Sequence, residues 1–253
     1  MDLSGQVAVI TGGARGIGRV FATALAEFGA DVVVIDVAPC DQTVADVQAL
    51  GRTAWPLVVD ISSGSRFKPA LVEVLKIAGR ADILVNNAAS TGRRQLLPFD
   101  QIDEADWDEV MAVNVKGMWL AAIAVAPFMR AQGRGRIINM TSGTVFTGQP
   151  SLAHYITSKG AVIAFTRALS RELAGTGITV NAISPGYINT DGSRELAASA
   201  DRQAFEHAMV GGQIVHRIGE PDDLLGGLLY LVSDLSAFMS GQLLNIDGGL
   251  VHY

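Results

Sequence analysis

The sequence predicts an α/β fold in which helices cover both faces of one doubly wound, parallel sheet of seven strands. Short apolar segments with strand character alternate with helical segments along the whole chain, which is the pattern of a parallel sheet. The 253 residues are enough for one well-buried core and lie within the size range of a single domain. We find no linker, repeat or low-complexity segment, so we expect residues 1–253 to form one domain.

Each predicted strand is a short apolar run, and Gly29 and Pro221 mark the end of the first helix and the start of the last. The predicted strands cover residues 7–10, 31–36, 53–59, 83–85, 136–140, 178–183 and 242–246. The predicted helices cover residues 17–28, 41–50, 64–78, 107–130, 155–174 and 221–232, with loops at 90–101 and 143–153. The less regular segment 187–219 is interpreted as one or two short helices that form a lid.

The composition argues against several classes of protein. Hydrophobic residues make up 49% of the chain, which argues against disorder, and the formal charge of −6 gives no support for nucleic-acid binding. The single cysteine, Cys40, excludes an intrachain disulfide and a cysteine-based zinc cage, and the four scattered histidines predict no metal site. Because no basic leader precedes Val7 and the apolar run 119–129 is short, we expect no signal peptide, no membrane span and a cytoplasmic protein.

A glycine-rich turn joins the first strand to the first helix. Glycines allow the backbone to approach a pyrophosphate, and the helix N-terminus offers it unpaired N–H groups. The three glycines, Gly12, Gly16 and Gly18, do not have the common G-x-G-x-x-G spacing, and no Lys-Ser/Thr pair follows them as in a P-loop. The strand before the turn and the helix after it nevertheless favour a dinucleotide-binding loop over a turn without function.

Asp36 closes the second strand and indicates the choice of dinucleotide. A carboxylate at this position can accept hydrogen bonds from both adenosine ribose hydroxyls and repels a 2′-phosphate, which favours NAD over NADP. Arg15, inside the glycine-rich turn, argues weakly for NADP because a guanidinium can pair with a 2′-phosphate. We give more weight to Asp36, since its repulsion acts at short range.

Polar residues also follow the third and fourth strands. Asp60 and Asn87 come where these strands end, and ligands bind at the carboxyl ends of strands in an open parallel sheet. We therefore expect both side chains on the cofactor side of the sheet. The alternative for the Asn86-Asn87 pair is a simple turn.

Tyr155 and Lys159 form the candidate catalytic pair. On a helix these i, i+4 residues share one face. A phenol has a pKa of about 10, and an ammonium roughly 5 Å away would lower that pKa by about two units at an effective dielectric constant of 20. Such a phenol could remove a proton from an alcohol near neutral pH. On spacing alone, a surface tyrosine beside a surface lysine on an amphipathic helix is the more common explanation of such a pair.

Six short motifs occur in one order along the chain. They are Thr11-Gly12-x-x-x-Gly16-Ile17-Gly18, Asn86-Asn87-Ala88, Asn114, Ser142, Tyr155-x-x-x-Lys159 and Pro185-Gly186-x-x-x-Thr190. Each is weak alone, but together and at these separations they closely resemble the short-chain dehydrogenase/reductase family. The resemblance covers the chain from Val7 onward and implies a Rossmann-type fold that transfers hydride between an alcohol and a nicotinamide cofactor. One departure is Ala89, where many members of the family have glycine.

The resemblance also implies roles for individual residues. Tyr155 matches the general acid/base, and Lys159 matches the residue that binds the nicotinamide ribose and lowers the phenol pKa. Ser142 matches the hydroxyl that orients the substrate oxygen, and Asn114 matches the residue that supports a water-mediated proton path behind the lysine. The implied cofactor contacts are Gly12, Arg15, Gly16, Ile17, Gly18, Asp36, Asp60, Ile61, Asn87, Ala88, Tyr155, Lys159, Pro185, Gly186, Ile188 and Thr190.

The substrate site is expected to combine hydroxyl, amide and aromatic side chains. We assign to it Ser142, Thr144, Gln149, Tyr155 and Tyr187. Within the family the chain is similar to bacterial secondary-alcohol and polyol dehydrogenases, and residues 241–253 resemble NAD-dependent enzymes acting on aryl-alkyl carbinols and pyridoxal. The resemblance implies a homotetramer formed through helices 107–130 and 155–174 and the last strand.

The favoured hypothesis is an NAD-dependent dehydrogenase that acts on a small secondary alcohol or polyol. One alternative is a carbonyl reductase that uses NADH or NADPH, because the sequence does not set the direction of the reaction. A second alternative, from a different class, is a non-catalytic nucleotide-sensing protein. The presence of Ser142, Tyr155 and Lys159 weighs against the second alternative.

Overall fold

The predicted fold class is confirmed by a computed structural model, which describes residues 1–93, 95–197 and 202–252. A parallel seven-stranded sheet runs in the order β3-β2-β1-β4-β5-β6-β7. The strands are β1 Val7–Thr11, β2 Asp31–Asp36, β3 Ala54–Val58, β4 Ile83–Asn86, β5 Gly135–Met140, β6 Ile178–Pro185 and β7 Leu243–Ile246. The sheet grows in one direction from β1 to β3 and in the other from β4 to β7, so the strand order reverses between β1 and β4.

Helices and short helical turns make up most of the remaining regular structure. The α-helices are α1 Gly16–Glu27, α2 Asp41–Ala49, α3 Gly64–Ala78, α4 Glu104–Met111, α5 Met118–Gln132, α6 Thr144–Thr147, α7 Ala153–Glu172, α8 Asp191–Ala197, α9 Arg202–Gly211 and α10 Leu225–Val232. Short 3₁₀-helices cover Phe99–Gln101, Pro221–Leu224 and Asp234–Ser236.

The core lies in two layers, one on each face of the sheet. Alternate residues of a strand point to opposite faces, so Ala8 and Ile10 of β1 pack on one face while Val7 and Val9 pack on the other. Helices α1, α2 and α10 cover the first face, and α3 and α5, with the end of α7, cover the second. Both faces of β1 are therefore buried, which explains why its sequence is a continuous apolar run rather than an alternating one.

The helix predicted at 107–130 differs from the observed one. It extends over residues 104–132 as α4, a π-helical segment Ala112–Gly117 and α5. Asp103 caps its start by accepting the N–H of Asp106, which explains why it begins earlier than predicted. Asn114 lies in the π-helical segment, where backbone hydrogen bonds join residues five apart rather than four apart as in an α-helix.

Two other segments also differ from the prediction. Pro221 begins a short 3₁₀ turn, closed by reciprocal capping between Glu220 and Asp223, and the α-helix starts only at Leu225. The expected loop at 143–153 contains the single helical turn α6. The expected lid contains α8 and α9, and its residues 198–201 lie outside the described part of the chain.

One helix among the described residues, Glu104–Gln132, is long and apolar enough to cross a membrane by length and composition. It is much longer than the apolar run 119–129 on which the expectation of no membrane span was based. However, 56% of its most apolar stretch is buried inside the protein. Core helices can have the same length and composition, so this helix is only weak support for a membrane span.

Candidate active site

A cleft of about 840 Å³ opens at the carboxyl ends of the central strands, where the strand order reverses. It brings together nearly all the residues singled out from the sequence. Those that line it are Gly12, Arg15, Gly16, Ile17, Asp36, Asp60, Ile61, Asn87, Ala88, Ser142, Thr144, Gln149, Tyr155, Lys159, Pro185, Gly186, Tyr187, Ile188 and Thr190. Gly18 and Asn114 do not line the cleft and contribute indirectly.

The glycine-rich turn is shaped by contacts that only glycine permits. Gly12 has a φ of +66°, and a Cβ on it would lie 2.7 Å from the Cα of Ala88. A Cβ on Gly18 would lie 2.0 Å from the carbonyl oxygen of Gly12, so Gly18 allows α1 to pack directly against the turn. The N-terminus of α1 therefore lies at the wall of the cleft, as a pyrophosphate site requires.

Asn87 braces this turn from the neighbouring strand. Its side-chain amide donates to the carbonyl oxygens of Thr11, at 3.1 Å, and Gly12, at 2.9 Å. The Thr11 hydroxyl in turn accepts the backbone N–H groups of Asn87 and Ala88, each at 3.1 Å. The Asn87 side chain thus connects the ends of β1 and β4 through hydrogen bonds, a role that its position in the sequence did not reveal.

Asp36 and Arg15 have separate partners at the outer end of the cleft. The Asp36 carboxylate accepts the backbone N–H of Ala14 at 3.0 Å and that of Ala38 at 3.1 Å. A carboxylate has about four acceptor positions, so it retains capacity for two further hydroxyl donors. Arg15 instead pairs with Glu195 of α8, at 3.1 Å between Nη1 and Oε1, and so connects the glycine-rich turn to the lid segment.

Asp60 and Ile61 occupy the wall next to Asp36. One oxygen of Asp60 accepts both the N–H and the hydroxyl of Ser62, at 2.8 and 2.7 Å, which fixes the turn after β3. Ile61 is 5% exposed and packs against Gly117, where a Cβ would lie 2.6 Å from its Cδ1 atom. The π-helical segment therefore supports this wall through Gly117.

Tyr155, Lys159 and Ser142 meet in the cleft. The Lys159 Nζ lies 5.7 Å from the centroid of the Tyr155 ring and donates to the carbonyl oxygen of Met140 at 2.8 Å. The Ser142 hydroxyl is hydrogen-bonded to the Tyr155 phenol and accepts the Thr144 hydroxyl at 2.9 Å. The two side chains of the i, i+4 pair share one face of α7, as the spacing predicted, and that face is turned into the cleft.

The expected effect of Lys159 on the phenol is corrected by the structure. Burial raises the pKa of Tyr155, and the hydrogen bond with Ser142 opposes that rise. Burial also lowers the pKa of Lys159 to about 8. As pH rises, the lysine therefore becomes neutral before the phenol ionises. The pairwise estimate of the phenol pKa from the sequence was wrong because it left out the desolvation of both groups.

This burial predicts a dependence of stability on pH. The folded pKa of Lys159 lies below its unfolded value, so between pH 8 and 10.5 the unfolded chain binds more protons and stability increases as pH rises. From pH 8 to 10 we expect a gain of about 2 kcal/mol relative to Lys159→Gln, measured by urea unfolding. The exposed Lys116→Gln should keep the wild-type slope, and equal slopes for all three proteins would contradict the prediction. Above about pH 10 the raised pKa of Tyr155 acts in the opposite direction.

Asn114 acts behind the cleft. Its side chain accepts the N–H of Ser90 at 2.7 Å and donates to the Ser90 carbonyl and the Ser158 hydroxyl, each at 2.9 Å. Ser158 precedes Lys159 and donates to the Tyr155 carbonyl at 2.7 Å. Asn114 thus links the loop after β4 to the turn of α7 that carries the candidate catalytic pair.

Glu109 lines the cleft and was missed from the sequence. Its carboxylate accepts the Ser90 hydroxyl at 2.7 Å, while Asn114 binds the Ser90 backbone. Residues five apart face different directions on an α-helix, so the shared contact with Ser90 depends on the π-helical segment. No signal in the sequence marks that segment.

The residues after β6 shape one wall of the cleft and the start of the segment 187–219. A Cβ on Gly186 would lie 2.7 Å from the Cα of Asp247, so this wall packs tightly against the C-terminal turn. Thr190 and Ser193 cap α8 reciprocally: the Thr190 N–H donates to the Ser193 hydroxyl at 2.8 Å, and the Ser193 N–H donates to Thr190 Oγ1 at 3.1 Å. Other lid and tail residues that line the cleft, unmarked in the sequence, are Asp191, Gly192, Ser193, Leu196, Met209 and Leu250.

Comparison with known proteins gives full-length matches. A family model described as enoyl-(acyl carrier protein) reductase matches residues 12–251. The chain is 36% identical over 253 residues to the 3-oxoacyl-[acyl-carrier-protein] reductase FabG of Thermotoga maritima, covering 99% of this chain and 100% of the relative. It is 36% identical over 254 residues to the 2-dehydro-3-deoxy-D-gluconate 5-dehydrogenase of Escherichia coli, covering 98% of this chain and 96% of the relative.

The solved structures include one of an NAD⁺-bound xylitol dehydrogenase. It matches with a TM-score of 0.92 and 32% sequence identity, over 98% of this chain and 100% of that one. The structural similarity therefore extends over nearly the whole chain.

Proposed function

The chain belongs to the short-chain dehydrogenase/reductase family of oxidoreductases, and from this premise we propose that it oxidises a secondary alcohol or polyol to the ketone with NAD⁺ as hydride acceptor. One observation carries the proposal. The hydroxyls of Ser142 and Tyr155 meet beside Lys159 in the same cleft that contains the glycine-rich turn. A substrate hydroxyl and a dinucleotide could therefore be held next to each other there.

The cleft fits a dinucleotide. The N-terminus of α1 and the close approach allowed by Gly12 and Gly18 suit the pyrophosphate, and Asp36 suits the adenosine ribose. Lys159, buried beside Tyr155, suits the nicotinamide ribose, and the backbone near Ile188 and Thr190 suits the carboxamide. When bound, NAD⁺ supplies the hydride acceptor and a positive charge next to the phenol.

In this proposal the protein places and deprotonates the alcohol. Ser142, supported by Thr144, would hydrogen-bond the substrate oxygen. Tyr155 would take the proton as a phenolate once the positive charge of bound NAD⁺ offsets the rise in its pKa that burial causes. Tyr155 would then hold that proton, and NAD⁺, when bound, would supply the acceptor for the hydride of the carbinol carbon, so that the alcohol would become a ketone. Asn114 is proposed to position α7 from behind, through Ser158.

The lining of the cleft supports an uncharged, hydroxylated substrate. The described residues that line the cleft include the hydroxyl and amide side chains of Thr144, Thr147 and Gln149 and the carboxylate of Glu109. Tyr187 and Leu152 add apolar surface. Hydroxyls and an amide can bind the distal hydroxyls of a polyol, whereas Glu109 would repel a substrate carboxylate.

A panel of alcohols tests the proposal. We expect NADH formation, followed by its absorbance, with sugar alcohols, cyclic alcohols or arylalkanols, and weaker activity with hydroxy acids. A competing function is reduction of a carbonyl group, which the name of the Thermotoga maritima relative supports, with NADPH as the hydride donor. Turnover of ketones with NADPH and none of alcohols with NAD⁺ would favour that function, and no turnover in either direction would favour a nucleotide-sensing protein.

Asp36→Ser should change the choice of cofactor. We expect the ratio of kcat/KM for NAD⁺ to that for NADP⁺ to fall by about 10–100-fold, because ribose hydrogen bonds to a charged acceptor are lost and the repulsion of a 2′-phosphate is removed. Asp41→Asn, an exposed acid at the start of α2, serves as the control and should leave the ratio unchanged. An equal loss for both cofactors would instead indicate that Asp36 only supports the turn through Ala14.

We also propose that residues 187–219 act as a substrate lid within a single domain. Leu196 of α8 and Met209 of α9 line the cleft, and Arg15 ties α8 to the glycine-rich turn. Hydrogen exchange with and without NAD⁺ tests this proposal: protection of α8 and α9 on binding is expected, and unchanged exchange would contradict a lid.

The proposed enzyme is a cytoplasmic homotetramer. Apolar side chains are exposed on surfaces suited to self-association, including Trp119 of α5 at 48% and, before β7, Leu235 at 83% and Phe238 fully. Sedimentation velocity would separate a tetramer from a monomer, and a monomer at micromolar concentration would overturn this part of the proposal.

A further inference from the structure

A second cavity, of about 640 Å³, lies at the opposite edge of the sheet from the active-site cleft. It opens where β5 and β6 begin, beside the C-terminal end of α7. Its polar side chains come from Arg134, Arg136, Ser170, Arg171, Thr179 and Ser240. The cavity plays no part in the proposed oxidation, because β5 is six residues long and separates the two sites by about 20 Å.

Positive charge dominates this cavity. Three guanidinium groups line it, and none of the described residues that line it carries a carboxylate. Two of these groups contact the same acid, Asp234, whose Oδ1 atom lies 2.9 Å from Nη2 of Arg134 and 3.2 Å from Nη2 of Arg136. Arg171 is exposed and has no ion pair with a carboxylate in the described part of the chain. Two arginines thus share one carboxylate, and a third has none.

The excess of positive charge in the cavity is energetically unfavourable because Arg136 is buried. Arg136 is 5% exposed, donates to the Gly135 carbonyl at 3.1 Å, and its Nε–H has no hydrogen-bond partner. Burial lowers the pKa of Arg136, and the positive charge of Arg134 lowers it further. Asp234 compensates only in part, because its side chain is 72% exposed and its charge is screened by solvent.

We propose that this cavity binds a phosphate dianion, as inorganic phosphate or as a small phosphate monoester, between Arg134 and Arg171. Guanidinium groups bind phosphate oxygens through paired, charge-assisted hydrogen bonds. The Ser240 hydroxyl accepts the N–H of Val180 at 3.2 Å, which leaves its own hydrogen free to donate to an oxygen of the ligand. The bound anion supplies negative charge that Asp234 alone does not, and the volume of the cavity leaves room for an organic group on the ester.

Calorimetric titration of the full chain tests the proposal, with inorganic phosphate and glycerol 3-phosphate as probes at constant ionic strength. Each titration is made with and without saturating NAD⁺, because the glycine-rich turn could also take up phosphate. We expect one saturable site that persists with NAD⁺, and at least tenfold weaker binding in Arg134→Gln and Arg171→Gln. Tighter binding of the ester than of the free ion would assign the site to phosphate monoesters, and the reverse would assign it to inorganic phosphate.

Two further variants separate the site from general charge effects. Arg130→Gln removes an exposed arginine of α5 that does not line the cavity, and it should bind phosphate as the wild type does. Asp234→Asn removes the competing carboxylate and should tighten phosphate binding severalfold, which a purely structural arginine cluster would not do. The proposal is overturned if Arg171→Gln, which alters an exposed side chain and should fold, binds phosphate as tightly as the wild type, or if NAD⁺ abolishes all binding.

Discussion

Replacing Tyr155 with phenylalanine is expected to lower kcat for alcohol oxidation by about 10²–10⁴-fold with little change in KM. In the proposal the phenol accepts the carbinol proton, because it is hydrogen-bonded to Ser142 and lies beside Lys159 in the cleft. Phenylalanine keeps the ring and the packing of α7 but cannot carry a proton. Initial rates of NADH formation with the best alcohol of the panel measure the effect.

The matched control for this variant is Tyr230→Phe. Tyr230 lies on α10, is 39% exposed and does not line the cleft. Its loss should leave kcat within about twofold of wild type, since surface changes rarely exceed 0.5 kcal/mol. Turnover by Tyr155→Phe within threefold of wild type would remove the proton-transfer role from the proposal, and binding of NAD⁺ by the same variant would show that the cleft had stayed intact.

Gly18→Ala is expected to weaken NAD⁺ binding by at least about 100-fold and to lower the free energy of unfolding by about 1–3 kcal/mol. The new Cβ would lie 2.0 Å from the Gly12 carbonyl oxygen and 2.6 Å from Nδ2 of Asn87. The nearer atom belongs to the backbone, so the overlap can be relieved only by moving the glycine-rich turn away from α1. Titration calorimetry with NAD⁺ and urea unfolding measure the two effects.

Gly226→Ala provides the control because it adds the same methyl group to another helix. No atom lies within 4 Å of a Cβ at Gly226, and its backbone has no positive φ. Alanine there should leave NAD⁺ binding unchanged and raise stability by up to about 1 kcal/mol. If Gly18→Ala bound NAD⁺ as well as Gly226→Ala does, the close packing of α1 on the turn would not matter for the cofactor.

Much of the fold could be predicted from local patterns. Strands such as β1 and β2 are buried on both faces, so they read as short apolar runs, and Gly29 marked the end of α1 within two residues. The boundaries around Asn114 could not be predicted, because α4, the π-helical segment and α5 form one unbroken helix whose change of pitch has no signal in the sequence.

The site residues that could be predicted from the sequence are those that come directly after strands. Asp60, Asn87 and Ser142 each come just after a strand, and the parallel sheet brings all three to the same edge. Contacts between distant segments were not predictable. Glu195 meets Arg15 although 180 positions separate them, and no local pattern pairs the two.

The electrostatics of the catalytic pair illustrate the same limit. Spacing correctly placed Lys159 one turn from Tyr155. The direction in which the phenol pKa shifts depends on how completely the surrounding chain excludes water from both groups. That exclusion is a property of the assembled cleft.

If residues 187–219 act as the proposed lid, the ion pair between Arg15 and Glu195 would make the access of ligands sensitive to ionic strength. It joins the turn that would hold the pyrophosphate to the helix that would close over it, and both side chains are more than a third exposed. The Debye length falls from about 10 Å at 0.1 M salt to about 3 Å at 1 M, so dissolved ions weaken exposed contacts of this kind. The proposed lid would thus be held least firmly in concentrated salt and most firmly in dilute buffer.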